Sequence, residues 1–189
     1  MNEANSGPRG LTYFATLLTD REVEEWTKWV GQLVFEHQVA RGRPMKRGDA
    51  MFGYAYVTAG RRLEPAKPFP ACLAALATRI ATVCPPGTEF NQCIVTKYPP
   101  DAGIGWHTDA PSFRDCIAGV SLGGDAQFLF RRKAETAIGH RLPVAAGSLY
   151  VMTGSARWEY QHSVKPVKTT RYSLTLRFVW GVDRMTQGE

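Results

Sequence analysis

Trp106-His107-Thr108-Asp109, read together with His162 and with Arg171-Tyr172-Ser173-Leu174-Thr175-Leu176-Arg177, is the part of the chain that decides the reading of the rest. His107 and Asp109 are two positions apart, and on an extended backbone that spacing points both side chains to one face. His162 lies in a segment, 158–164, that also reads as strand. Two imidazoles and one carboxylate on one face leave about three open positions on an octahedral ion, the arrangement of non-haem iron(II) sites. The last run has two unlike faces. Arg171, Ser173, Thr175 and Arg177 share one, while Tyr172, Leu174, Leu176 and Phe178 share the other. A half-buried strand usually turns its polar face to water. Here the reverse is expected, with the polar face lining a pocket and the apolar face packed on helices.

Around this centre the chain falls into helices first and strands afterwards. Residues 1–9 are polar and expected to be flexible. Residues 11–18 are apolar enough for a short strand. Thr19-Asp20-Arg21-Glu22 is a capping-box pattern, and Val23, Trp26, Val30, Leu33 and Val34 follow as a helical stripe. Met51 to Val57 reads as one strand. A second helix spans 70–83, with Pro70 at its first position and Leu73, Leu76, Ile80 and Val83 as its stripe, stopped by Pro85-Pro86-Gly87. Strands follow at 90–98, 104–108, 116–122, 126–131, 148–152, 158–164 and 171–180. This order predicts an α+β fold: a double-stranded β-helix, or jelly roll, with the N-terminal helices packed on one sheet. The 189 residues suit a single domain over 10–189, with the jelly-roll core at about 90–180.

Composition narrows the setting. The net charge of +6 and pI near 9.3 favour an anionic partner, nucleic acid being the commonest, or a merely basic surface. Cys72, Cys84, Cys93 and Cys116 form no C-x-x-C pair, so they read as buried free thiols in a reducing, cytoplasmic setting rather than as a zinc site. No apolar run reaches membrane-spanning length, so no membrane is expected. Of the other histidines, His140 is the only rival to His162; it sits in Gly139-His140-Arg141, which reads as a turn.

His107-x-Asp109, the distal His162, and Arg171 with five residues before Arg177 resemble the signature of the AlkB family of Fe(II)/2-oxoglutarate dioxygenases. Asn91-Gln92-Cys93-Ile94-Val95-Thr96-Lys97-Tyr98 resembles the strand before that family's metal motif, and the run from Gly147 to Trp158, with Ser155-Ala156-Arg157, resembles the segment before its distal histidine. The resemblance implies Fe(II) held by His107, Asp109 and His162, with 2-oxoglutarate and dioxygen as co-reactants. Arg171 is then the bidentate partner of the distal 2-oxoglutarate carboxylate. Arg177 lies nearer the metal-proximal end, and Tyr98, Thr96 and Thr175 are further donors. It also implies a substrate-recognition lid at about 36–65, where Tyr54 or Tyr56 stacks on a base beside Arg41, Arg43, Lys46, Arg47, Arg61 and Arg62. An aromatic core strand between solvated basic loops is the other reading of that region. Arg131, Arg132 and Lys133 are candidate phosphate contacts or a solvated turn.

The family's base-repair members carry an acidic residue two positions after the metal aspartate, where this chain has Pro111. Asp109-Ala110-Pro111-Ser112-Phe113 looks more like the branches that modify RNA. The leading expectation is oxidative demethylation or hydroxylation of an alkylated nucleobase in single-stranded DNA or RNA by a monomeric enzyme. The alternatives are the same chemistry on a protein side chain or small molecule, or a non-catalytic jelly-roll binding module.

Overall fold

The computed structural model describes residues 7–40, 42–57 and 62–179, the side chains of 40, 57 and 62 excepted. In chain order the elements are β1 (Leu11–Phe14), α1 (Asp20–Gly31), β2 (Val39–Ala40), β3 (Arg43–Pro44), β4 (Gly48–Phe52), β5 (Tyr54–Val57), β6 (Arg62–Pro65), α2 (Ala71–Ala81), β7 (Gln92–Tyr98), β8 (Ile104–His107), β9 (Ile117–Gly123), β10 (Ala126–Arg132), β11 (His140–Val144), β12 (Leu149–Met152), α3 (Gly154–Trp158), β13 (Tyr160–Val164) and β14 (Arg171–Arg177). The major sheet runs β1-β12-β9-β14-β7-β4 and the minor sheet β11-β10-β13-β8, both antiparallel. This is the expected jelly roll.

Strict alternation assigns each face of the major sheet. Leu174 and Leu176 on β14, Ala118, Val120 and Leu122 on β9, Cys93 and Val95 on β7, and Leu149 and Val151 on β12 pack with Val30 of α1 and Leu73, Leu76 and Ile80 of α2. That is the helix-covered layer the sequence predicts. The Thr19 capping box closes with both of its hydrogen bonds, Glu22 N to Thr19 Oγ1 at 3.3 Å and Thr19 N to Glu22 Oε2 at 2.8 Å. The opposite faces of both sheets form a second core around Tyr98, Ile117, Phe128, Phe130, Tyr150 and Met152.

Several boundaries differ from expectation. Met51–Val57 is two strands, because Gly53 takes φ +76° and a Cβ there would lie 1.9 Å from the Asn91 carbonyl oxygen. Pro70 is the N-cap of α2, with ψ 155°, rather than its first helical residue. Val34 lies beyond α1 and is 77% exposed, so the packed stripe ends at Leu33. Trp158 closes the short helix α3, and the strand begins only at Tyr160. β11 replaces the expected turn around His140; its Pro143 is tolerated because β11 is an edge strand, where a missing amide proton costs no ladder bond. Cys93 and Cys116 are buried, Cys84 is half-buried and Cys72 is exposed; all are free thiols. No helix is long and apolar enough to cross a membrane among the described residues.

Candidate active site

The inner faces of the two sheets enclose a cavity into which the minor sheet projects imidazoles and the major sheet projects guanidinium groups and hydroxyls. His162 on β13 is the register partner of His107 on β8, which places their rings 4.3 Å apart. Phe128 and Phe130 flank His162 at 5.2 and 6.2 Å. Asp109 follows the end of β8, and its Oδ2 is 3.3 Å from His162 Nε2. Thus His107, Asp109 and His162 meet. His140 does not; it packs on Phe130 at 6.1 Å and is half-exposed.

The three side chains are adjacent, but among the described residues no group of three is arranged around a common point as it stands. Across the cavity, Arg177 Nη2 holds Asp109 Oδ1 at 2.5 Å. Burial alone would raise the Asp109 carboxyl, but Arg177 and the two imidazoles together hold it well below the usual carboxylate range. Burial, helped by neighbouring His162, pushes His107 down to about 4, so its ring is neutral at physiological pH. Its Nδ1 lies 2.9 Å from the Gly105 carbonyl oxygen. Donation of Nδ1–H to that oxygen leaves the Nε2 lone pair for a metal, the usual orienting contact of a ligating imidazole. Two imidazole nitrogens and an ionised carboxylate oxygen suit iron(II).

The anion side of the cavity is β14. Arg171, Ser173, Thr175 and Arg177 all line it. Arg171 is 2% exposed; its Nε donates to Ser121 Oγ at 3.0 Å and its guanidinium lies 5.2 Å from the Tyr98 ring, yet Nη1 has no partner. Arg177 Nε is likewise buried without a partner, and that guanidinium lies 4.6 Å from the Phe113 ring. A buried guanidinium with orphaned N–H groups is costly unless an anion completes it. A dicarboxylate fits both. Burial raises the Tyr98 and Tyr150 phenols, so both stay protonated and able to donate.

Of the remaining expected residues, Thr96, Arg47 and Tyr56 line the cavity. Thr96 donates its hydroxyl proton to Asp49 Oδ1 at 2.8 Å, so only its lone pairs face elsewhere. Tyr56 packs on Phe113 at 5.8 Å, joining β5 to the loop after Asp109. Tyr54 and Arg131 do not line the cavity. Tyr54 sits at the other end of β5, about 7 Å of backbone from Tyr56, and Arg131 is held outside by Gln161 Oε1 at 2.9 Å and by the Trp106 ring at 4.3 Å. Arg41 and Arg61 lie outside the described residues, as does the Arg62 side chain.

Three residues were not foreseen. Asp49 continues a row of register partners, Asp49–Thr96–Ser173–Ser121, across four strands of the cavity face. Tyr150 reaches the cavity across Gly119, where a Cβ would stand 2.2 Å from its ring; a glycine inside an apolar strand was the available signal. Arg157, 3% exposed, donates to the carbonyl oxygens of Asp109 (3.2 Å), Ala110 (2.8 Å), Phe113 (3.2 Å) and Arg114 (3.4 Å), so it fixes the whole loop that begins at the aspartate.

Comparison with known proteins agrees with this geometry. Residues 10–178 match the family model of the 2OG-Fe(II) oxygenase superfamily. Mouse DNA oxidative demethylase ALKBH2 is 32% identical over 183 residues, 88% of this chain and 70% of that protein. Mouse tRNA (carboxymethyluridine(34)-5-O)-methyltransferase ALKBH8 is 26% identical over 186 residues, 93% of this chain but only 27% of that longer protein. The solved structure of OsALKBH1 shares the fold with a TM-score of 0.72 at 16% identity, over 89% of this chain and 96% of that one. The chain therefore belongs to the 2OG-Fe(II) oxygenase superfamily, in its AlkB branch, and is a dioxygenase that works with iron(II), 2-oxoglutarate and dioxygen.

Proposed function

We propose that this dioxygenase oxidises an alkyl group on a nucleobase in single-stranded nucleic acid, by hydroxylation or, where the alkyl is on nitrogen, by demethylation. Bound together, iron(II), 2-oxoglutarate and dioxygen place one oxygen atom in a C–H bond and the other in succinate, with release of carbon dioxide. The rest is the work of the chain. His107, Asp109 and His162 hold the metal. Asp109 Oδ2 already faces His162 while Oδ1 is held by Arg177, so one carboxylate oxygen would serve the metal as the other keeps the guanidinium, and the partnerless Nε of Arg177 is left for the nearer carboxylate of 2-oxoglutarate. Arg171, with its register partner Tyr98 beside it, takes the farther one, and Thr175 lies four residues along β14, on the side of Arg177. The two arginines lie six residues apart on one strand, about 20 Å of backbone, so they grip separate ends of the site. Phe128, Phe130 and Ile104 keep the space around the imidazoles dry.

The observation that carries the reading is Arg171: a fully buried guanidinium with a partnerless Nη1, on the wall facing the imidazoles. Support for a nucleobase comes from the relatives, one named a DNA demethylase and one a tRNA-modifying enzyme, from the net charge of +6, and from Tyr56 and Phe113 as aromatic surfaces at the cavity. A base must leave its stack to reach such a site, hence the single strand. The test is a panel of methylated DNA and RNA oligonucleotides incubated with iron(II) and 2-oxoglutarate, read by mass and by formaldehyde release. Oxidation of at least one is expected. If succinate forms with a peptide or small molecule while every oligonucleotide is untouched, the nucleobase reading fails.

A further inference from the structure

The three metal-binding side chains and the two arginines leave the phenol of Tyr150 unassigned, although it lines the cavity. The register places it. Tyr150 on β12 stands opposite Gly119 on β9, and Gly119 stands opposite Thr175 on β14. The Tyr150 ring and its oxygen occupy the space that a Cβ at Gly119 would take, so the side chain lies across β9. Its hydroxyl thereby reaches the next strand but one and pairs with the Thr175 hydroxyl. Thr175 Oγ1 in turn lies 3.5 Å from Ser173 Oγ. Three hydroxyls in a row are joined by two links, which use two of their three protons. One O–H is left over, and all three groups face the cavity. Burial keeps the phenol protonated, so it can be that donor. On β14 the row sits between Arg171 and Arg177, whose partnerless N–H groups call for an anion. The Phe128 ring is 4.7 Å from that of Tyr150 and 5.2 Å from that of His162, so the phenol stands one ring away from the imidazoles.

Resting on the reading of β14 as the cosubstrate wall, we infer that Tyr150 is a further cosubstrate-binding residue, whose hydroxyl, in series with Thr175, donates to 2-oxoglutarate at the metal end of the site. Thr175 is two residues from Arg177 and four from Arg171, which sets the contact toward the Arg177 end. A carboxylate oxygen held by a guanidinium still has a lone pair to accept a second donor. A buried phenol needs a partner; Thr175 supplies one within the protein, and the bound anion takes the proton that the hydroxyl row has left over. Packed between Gly119 and Phe128, the ring has little freedom to lose, so its hydroxyl is held in place before the cosubstrate arrives.

The test is Tyr150→Phe, which keeps the ring on Gly119 and removes only the oxygen. Calorimetric titration of 2-oxoglutarate into protein loaded with manganese(II) in place of iron(II) separates binding from turnover. The Kd for 2-oxoglutarate should rise about fivefold, while the affinity for manganese(II) and the Tm stay at their wild-type values. With iron(II), the loss should appear in the KM for 2-oxoglutarate rather than in kcat. An unchanged Kd in Tyr150→Phe beside a Kd raised in Arg171→Lys overturns the role of Tyr150 and leaves the cosubstrate wall standing. A Kd raised only together with a fall in Tm or in manganese(II) affinity shows a structural role and overturns the inference as well. If neither Tyr150→Phe nor Arg171→Lys weakens binding, the reading of β14 falls with it.

Discussion

Arg171 and Asp49 are both buried on the cavity wall, Arg171 with a partnerless Nη1 and Asp49 accepting from Thr96 and Gln38. For Arg171 the proposed ligand is 2-oxoglutarate. Arg171→Lys should raise the KM for 2-oxoglutarate at least about tenfold, because a point ammonium cannot make the paired contact; an unchanged KM in succinate-release assays would end that assignment. His107→Ala, Asp109→Ala and His162→Ala should each abolish 2-oxoglutarate turnover, while His140→Ala keeps it. Activity lost in the His140 variant and kept in the His162 variant would reverse the choice between them. For Asp49 the raised carboxyl sets the sign of a stability effect. Below the usual carboxylate range both folded and unfolded states are protonated and the burial of Asp49 costs nothing. As pH rises through that range toward the folded value the native state is increasingly penalised. Asp49→Asn should therefore raise Tm by a few degrees at about pH 7.5 and leave it unchanged near about pH 3, as calorimetry at the two values would show.

Among the elements, those whose side chains alternate cleanly were legible in the sequence, and those shaped by a single backbone position were not. β14 announced its two faces because Arg171, Ser173, Thr175 and Arg177 interleave with leucines, and the structure gives them the expected surroundings. α1 was legible from Thr19 and Glu22 alone. β11 was missed because Pro143 reads as a breaker until the strand is known to lie at an edge. α3 was missed because five residues are too few to show a helical period. Asp49 escaped because an acid after Arg47-Gly48 reads as a turn, whereas β4 carries it onto the cavity wall. The loop after β8 shows how much one side chain can hold. Arg157→Lys would keep the charge but lose most of the four carbonyl contacts. It should lower Tm by about 5–10 °C, from roughly 2–3 kcal/mol of lost contacts, and weaken iron binding about tenfold or more. Normal values for both would show that the clamp is dispensable.

At the scale of the molecule, two sheets bring opposite chemistries to one gap, imidazoles from one side and guanidinium groups from the other, with helices sealing only the outer face of the major sheet. The family was legible through the resemblance of its motifs and this division through the alternation along β14; the substrate was not, and β4 to β6, which fall in the proposed recognition region, pair in a way no local pattern reveals. If exposed Arg43 and Lys46 hold phosphates, Lys46→Ala should reduce the slope of log affinity against log salt by about 0.7 on single strands. Tyr56→Ala should weaken turnover with little change of slope. Equal slopes for wild type and Lys46→Ala would show that this surface is only solvated. The Arg157 clamp also bears on how such an enzyme could acquire new substrates. It grips only main-chain oxygens, and every amino acid supplies those. Residues 110–112 can therefore be rewritten, by drift or by design, without loosening the aspartate they follow, whereas Phe113 is held by its packing on Arg177 and Tyr56.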